Sequence, residues 1–109
     1  MSRQNKIILI GSVKTPPETK ATNSGESFCT FTLIVNRPEN EGMTQGSDEF
    51  TIVCWRDLSE KVSNLTEQSE ILVEGSIRNR NYENNDGQRV YVTEIEARNV
   101  ITFSTTSSS

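Results

Sequence analysis

The sequence predicts an all-β fold: a small sheet closed on itself, with one short helix let into it. Three observations carry this. The ten residues Ser27 to Asn36 alternate between two faces, two long strand-like segments flank a turn containing Asp86-Gly87, and only Arg56 to Leu65 shows helical spacing. At 109 residues the chain has room for one core, and a single domain is expected.

The first strand is NKIILIGSV (5–13), rich in Ile and Val. Pro16-Pro17 and Ser24-Gly25 stop it, so residues 14–26 read as a loop. In the second strand, SFCTFTLIVN (27–36), Cys29, Phe31, Leu33 and Val35 form the predicted core face, and Phe28, Thr30, Thr32 and Ile34 share the other. RPENEGMTQGSD (37–48) has almost no apolar content and reads as an exposed connection long enough to carry function. EFTIVCW (49–55) is the third strand. Leu58, Val62 and Leu65 then fall at i, i+4 and i+7 on a short amphipathic helix, and Asp57 with Glu60 has the spacing of a capping box. Segments 69–82 and 88–103 flank ENNDG as a hairpin, and STTSSS (104–109) is expected to be a disordered tail to a domain of residues 1–103. Five strands with a helix between the third and fourth is the order of an oligonucleotide/oligosaccharide-binding (OB) fold, a five-stranded Greek-key barrel. Another small barrel or an open sandwich is compatible with the same pattern.

The formal net charge of −4, from 15 acidic and 11 basic residues, argues against overall charge drawing in a polyanion but leaves room for a local basic track. The apolar run Ile7 to Ile10 is far too short for a signal peptide, and none approaches the roughly 18 residues of a membrane span. A soluble, non-secreted protein is expected. Cys29 and Cys54 lie singly in apolar segments, and with no histidine and no CxxC no metal or other cofactor is expected; both thiols should be reduced and buried. In that compartment the sequon Asn64-Leu65-Thr66 is silent. Without histidine, a placeable carboxylate pair or a Walker-type loop, no catalytic constellation can be named, and an enzyme is not expected.

The aromatic and basic residues say more. Single-stranded nucleic acid needs flat side chains for its unpaired bases and nearby Arg or Lys for its phosphates. Trp55-Arg56 supplies one such pair at a strand end, although a lone Trp can equally anchor a core. Arg78, Arg80 and Tyr82 fall at i, i+2 and i+4 and so project from one face; Arg89 and Tyr91 share a face in the same way. Burying such a row would cost too much, so it faces water or a ligand. The plainer reading is a solvated hairpin face with arginines paired to Glu83 or Asp86.

Taken together, KIILIGSV, FTLIVNR, VCWRDLSEKV, VEGSIRNRNYENNDGQRVYVTEI and ARNVITF resemble the DNA-binding domain of bacterial-type single-stranded DNA-binding proteins across residues 5–103. The resemblance implies an OB-fold, usually homotetrameric with a dimer as the alternative, working in a bacterial or organelle nucleoid. Such proteins cover single-stranded DNA without reading sequence, in replication, recombination and repair. It places Trp55 and Tyr82 at base-stacking positions and Arg78, Arg80 and Arg89 at phosphate or base contacts. Beyond those positions, Arg56, Lys6 and Lys14 are further candidates for the backbone path. Phe50 resembles a third stacking position, but the family's usual aromatic lies one residue earlier, at Glu49. Either a bulge compensates or Phe50 turns to the core. Two departures from the family are visible: the loop after the second strand carries Glu39 and Glu41 and no Lys, and the chain ends without the family's acidic tail, so tail-mediated partners are expected to be absent. The short chain is also similar to primosomal replication protein N, a dimeric relative. A protein-binding OB module is the alternative of a different class.

Overall fold

A computed structural model describes residues 4–37 and 46–103; the predicted tail and the loop residues Glu39 and Glu41 lie outside the described residues. The elements are β1 (Ile7–Val13), β2 (Glu18–Ala21), β3 (Ser27–Asn36), β4 (Ser47–Trp55), α1 (Arg56–Val62), β5 (Glu70–Glu83) and β6 (Arg89–Thr102). β1 pairs with β5, β5 with β6, β6 with β4 and β4 with β3, and β3 returns to β1 through Ser12 opposite Ile34 and Val13 opposite Leu33. This ring of five strands is the expected OB barrel. Every contact in it is antiparallel except β4 with β6, where Ile52 lies opposite Ile95.

The alternation that marks the strands also fills the barrel. Cys29, Phe31 and Leu33 from β3 meet Ile52 and Cys54 from β4, Ile71 and Val73 from β5, and Ile95, Ala97 and Val100 from β6. Val13 and the α1 residue Val62 complete the cluster. Both cysteines are free thiols in this interior. Burial, reinforced by the neighbouring Cys29, pushes the Cys54 thiol up to about 12.

Two local expectations are corrected. Residues 18–21, expected to be loop, form β2 on the edge of β3, with Glu18 opposite Thr30 and Ala21 opposite Ser27. ETKA carries no apolar alternation because all four residues are exposed. Its partner creates the strand: β1 covers only the Leu33–Ile34 stretch of β3, and the backbone groups of residues 27–30 need partners on that edge. The capping box does not form. Trp55 occupies the N-cap position in an extended conformation with no side-chain cap bond, and Asp57 lies inside the first turn, where its charge faces the positive helix end. Leu65 lies beyond the helix, its N–H bonded to the Val62 carbonyl at 3.0 Å, yet still packs on the core.

The hairpin of β5 and β6 extends past the barrel, so residues Ile77 to Glu83 are exposed. Its loop spans five residues, Asn84–Gln88. Asn84 organises it, its Oδ1 accepting from the N–H groups of Asp86 (3.0 Å) and Gln88 (2.9 Å), while Gly87 takes φ 78. No helix among the described residues is long and apolar enough to cross a membrane.

Candidate nucleic-acid interface

Residues opposite one another in a ladder share a face, so the register fixes what the barrel's outer surface presents. Phe28 lies opposite Trp55, Thr30 opposite Val53, and Lys20 opposite Phe28. Val53 is level with Glu96 across the parallel contact, and Glu96 lies opposite Ser76. Lys20, Phe28, Trp55, Val53, Glu94, Glu96, Arg78 and Arg80 therefore belong to one outward surface crossing five strands, and they line a cleft of about 540 Å³. Its floor is apolar and aromatic; its far side is charged.

The aromatic end is a tilted pair, with Phe28 and Trp55 ring centroids 4.8 Å apart at 34°. Trp55 is half-buried, stands outside the core cluster, and keeps part of its ring open to the cleft. At the charged end, Arg80 donates from Nε and Nη2 to both Glu94 oxygens at 3.1 and 3.0 Å, and Arg78 donates from Nε to Glu96 Oε1 at 2.8 Å. The bonds to Glu94, then its charge, hold the Arg80 guanidinium above its already high ordinary pKa. The Arg80 guanidinium also sits 5.9 Å from the Tyr82 ring centroid, bracing that ring at the edge of the cleft. Glu83 and Asp86, the partners expected for these arginines, are not the ones they take. The hairpin register sets Glu94 opposite Arg78 and Glu96 opposite Ser76, so each arginine reaches diagonally to the next glutamate along β6.

The remaining predicted residues separate. Phe50 lies opposite Leu33 and packs against the core, so of the two alternatives for it the chain takes the inward one. Glu49, at the position of the family's usual aromatic, faces outward and pairs with Lys14 at 2.8 Å. Lys6 pairs with Glu74 at 2.9 Å. Arg56 opens α1 at φ 52, in the left-handed region, with its guanidinium bonded to Glu26. Arg89 and Tyr91 occupy the opposite face of the hairpin from Arg78, Arg80 and Tyr82: Tyr91 lies opposite Asn81, and Arg89 donates to Asn81 Oδ1 at 2.8 Å. Tyr91 is 75% exposed there.

Sequence reasoning missed Phe28, Lys20, Glu94 and Glu96 as lining residues. For Phe28 the signal was present, an aromatic on the non-core face of an alternating strand. For the glutamates it was the matched spacing of Arg-x-Arg and Glu-x-Glu on the two arms of one hairpin. Lys20 had none, because β2 itself was not legible.

The chain matches the model of the "Single-strand binding protein family" over residues 4–103. It belongs to that family. Among relatives, it is 43% identical over 98 residues to "Single-stranded DNA-binding protein 3" of Listeria innocua, covering 88% of this chain and 61% of that protein. It is 39% identical to "Single-stranded DNA-binding protein A" of Bacillus subtilis, covering 88% of this chain and 57% of the other. The chain thus spans about three-fifths of the length of these relatives. Among solved structures, one described as "Plasmodium falciparum SSB complex with ssDNA" superposes with a TM-score of 0.79 at 26% identity, covering 95% of this chain and 98% of that one.

Proposed function

We propose that this member of the single-strand binding protein family binds single-stranded DNA, largely without sequence preference, and performs no catalysis. The observation that carries the reading is the continuous outer surface on which the Phe28–Trp55 pair, Tyr82, Arg78 and Arg80 line one path across the strands. Bases stack on the rings, which accept any base because every base has a π-face, while the arginines meet the backbone. Family membership and the named relatives support the same reading. Binding only the unpaired strand holds it open by mass action, a role suited to replication, recombination and repair in a nucleoid. Arg89 and Tyr91, on the far face of the hairpin, join only if the strand wraps its tip.

The reading includes assembly into a homo-oligomer, a tetramer or a dimer. Ile8, Ile10 and Ile101 are each about half exposed (56%, 56% and 47%), and Ile10, Leu72 and Ile101 are successive neighbours across β1, β5 and β6. Such a row on a small acidic protein is the kind of apolar patch that a second subunit covers.

Titration with oligo-dT is expected to quench Trp55 fluorescence. The double variant Trp55→Ala, Tyr82→Ala should bind more weakly by about 2 to 6 kcal/mol if the two stacks add. Unchanged affinity in that variant would overturn the stacking assignment. A light-scattering mass near 12.2 kDa would overturn assembly.

A further inference from the structure

Beside the stacking cleft, and sharing Arg78 with it, lies a second cavity of about 400 Å³ lined by Gln4, Asn5, Lys6, Ser76, Arg78 and Arg98. We propose that it is a seat for one backbone phosphate of the single strand, with Arg98 as its principal cation. The proposal rests on the single-stranded DNA reading above and extends the strand's path beyond the aromatic cleft.

Three observations show how the seat is built, and a fourth calls for a hydrogen-bonding ligand. The first is the position of Arg98. Glu74 lies opposite Asn99 and Gly75 opposite Ala97, so Arg98 is the one residue of this stretch of β6 with no partner on β5. It is the extra residue of a β-bulge, a device that re-aims a side chain. Second, the backbone here is closely fitted: a Cβ at Gly75 would lie 2.2 Å from the Glu96 carbonyl oxygen, so the strands can meet at the bulge only with glycine at that position. Third, the segment carrying Lys6 is clamped. The Asn5 side chain donates to the Ile77 carbonyl at 2.7 Å and accepts from the Ile77 N–H at 2.9 Å, continuing the β1–β5 ladder with an amide side chain. Fourth, Ser76 is 1% exposed and its hydroxyl is a buried polar group with no hydrogen-bond partner among the described residues. A buried hydroxyl in that state calls for one, and a phosphate oxygen seated in the cavity that Ser76 lines can accept its hydrogen bond.

Charge decides between the two cavities. In the cleft, Lys20, Arg78 and Arg80 are matched by Glu18, Glu94 and Glu96, the Lys20–Glu18 pair being the loosest at 3.9 Å. In the second cavity Lys6 and Arg78 are matched by Glu74 and Glu96, and Arg98 makes no ion pair among the described residues. Three cations against two carboxylates leave a net positive site, where the cleft is neutral. A phosphate leaving the stack therefore gains most from Coulomb attraction at Arg98.

The test is an oligo-dT titration followed by Trp55 fluorescence at several salt concentrations, comparing the parent chain with Arg98→Ala and Trp55-independent binding of Trp55→Ala by anisotropy of a labelled oligomer. Arg98 is exposed and outside the core, so the variant should fold as the parent does. Arg98→Ala should keep the full quench, lose roughly two- to fivefold in affinity at low salt as an exposed ion pair would, and show a log K against log salt slope shallower by about 0.7 for the one phosphate lost. On an oligomer whose phosphodiesters are replaced by neutral methylphosphonates, the variant and the parent should bind alike. An unchanged slope and affinity in Arg98→Ala, with Trp55→Ala still weakened, would refute the seat and leave the cleft standing. A difference that persists on methylphosphonates would also refute it, since Arg98 would then be sensing something other than phosphate. If the parent binds no oligomer, the cleft reading fails first and the seat fails with it.

Discussion

Removing negative charge from the hairpin should strengthen binding, and the ion-pair geometry says by how much. In the free protein Glu94 and Glu96 occupy the guanidiniums that a phosphate would use. Binding then exchanges one anion for another, and the arginine gains only the difference. Glu94→Gln and Glu96→Gln keep shape and one acceptor oxygen while removing the charge. An exposed pair contributes about 0.2 to 1 kcal/mol, and Arg80–Glu94 belongs at the upper end because it is bidentate and the Glu94 side chain is only 14% exposed. Each single variant should therefore bind oligo-dT up to about fivefold more tightly, and the double variant up to about 30-fold if the effects add. Salt dependence gives a second, independent readout. A displaced glutamate takes up a cation as the DNA releases one, which flattens the slope; with glutamine that uptake is gone, and the slope should steepen by up to about 0.7 per arginine. Both quantities come from one set of fluorescence titrations, with urea unfolding to confirm that the fold survives. A folded double variant that binds no more tightly, with an unchanged slope, would show that Arg78 and Arg80 do not meet phosphates.

Three further predictions concern the scaffold. Gly75→Ala would put a Cβ 2.2 Å from the Glu96 carbonyl oxygen and 3.0 Å from the Ala97 Cα, both rigid strand backbone, so urea unfolding should show a loss above about 3 kcal/mol. Gln68 is exposed at φ 70, and Gln68→Gly should stabilise by roughly 0.5 to 1 kcal/mol as left-handed strain is relieved; a lower midpoint would refute the assignment of strain there. Because the folded Cys54 pKa lies near 12, above the ordinary 9.0, its contribution to stability is complete below pH 9 and declines as pH rises towards 12. At pH 8 Cys54 should then react with iodoacetamide only as fast as the protein opens, and rapid native alkylation would contradict its burial.

What the sequence made legible follows from which interactions are local. β3 announced itself because one face is apolar for its whole length, and Cys29, Phe31 and Leu33 are buried as the alternation requires. The hairpin was legible from its turn chemistry, and the shared face of Arg78, Arg80 and Tyr82 followed from period two. β2 was not legible, because nothing in ETKA favours a strand until β3 presents a free edge. The partners of the arginines were missed for a related reason: Glu94 and Glu96 are 14 and 18 residues away from Arg80 and Arg78, and only the register set by a five-residue loop brings them together. That same register sends Arg89 and Tyr91 to the other face, a parity that the sequence leaves open until the loop length is known. The capping box failed because Trp55 ends β4 and leads straight into α1, so its extended backbone takes the N-cap position that the spacing had suggested for Asp57.

The glutamates that weaken the cleft's charge also prepare it. An unpaired arginine on a β-ribbon samples many rotamers, and fixing it on a ligand costs on the order of 1 to 2 kcal/mol of side-chain entropy. In this chain Glu94 and Glu96 already hold Arg80 and Arg78 extended across the strand face, and Arg80 in turn braces Tyr82. Under the proposed function, a phosphate replacing a carboxylate meets a guanidinium whose ordering cost was met in folding, while the stacking surface is already in place. Electrostatics then adds little net affinity within the cleft, and stacking supplies most of it. A chain of net charge −4 can therefore hold a polyanion, with Arg98 at the bulge adding an uncompensated positive charge beside the cleft.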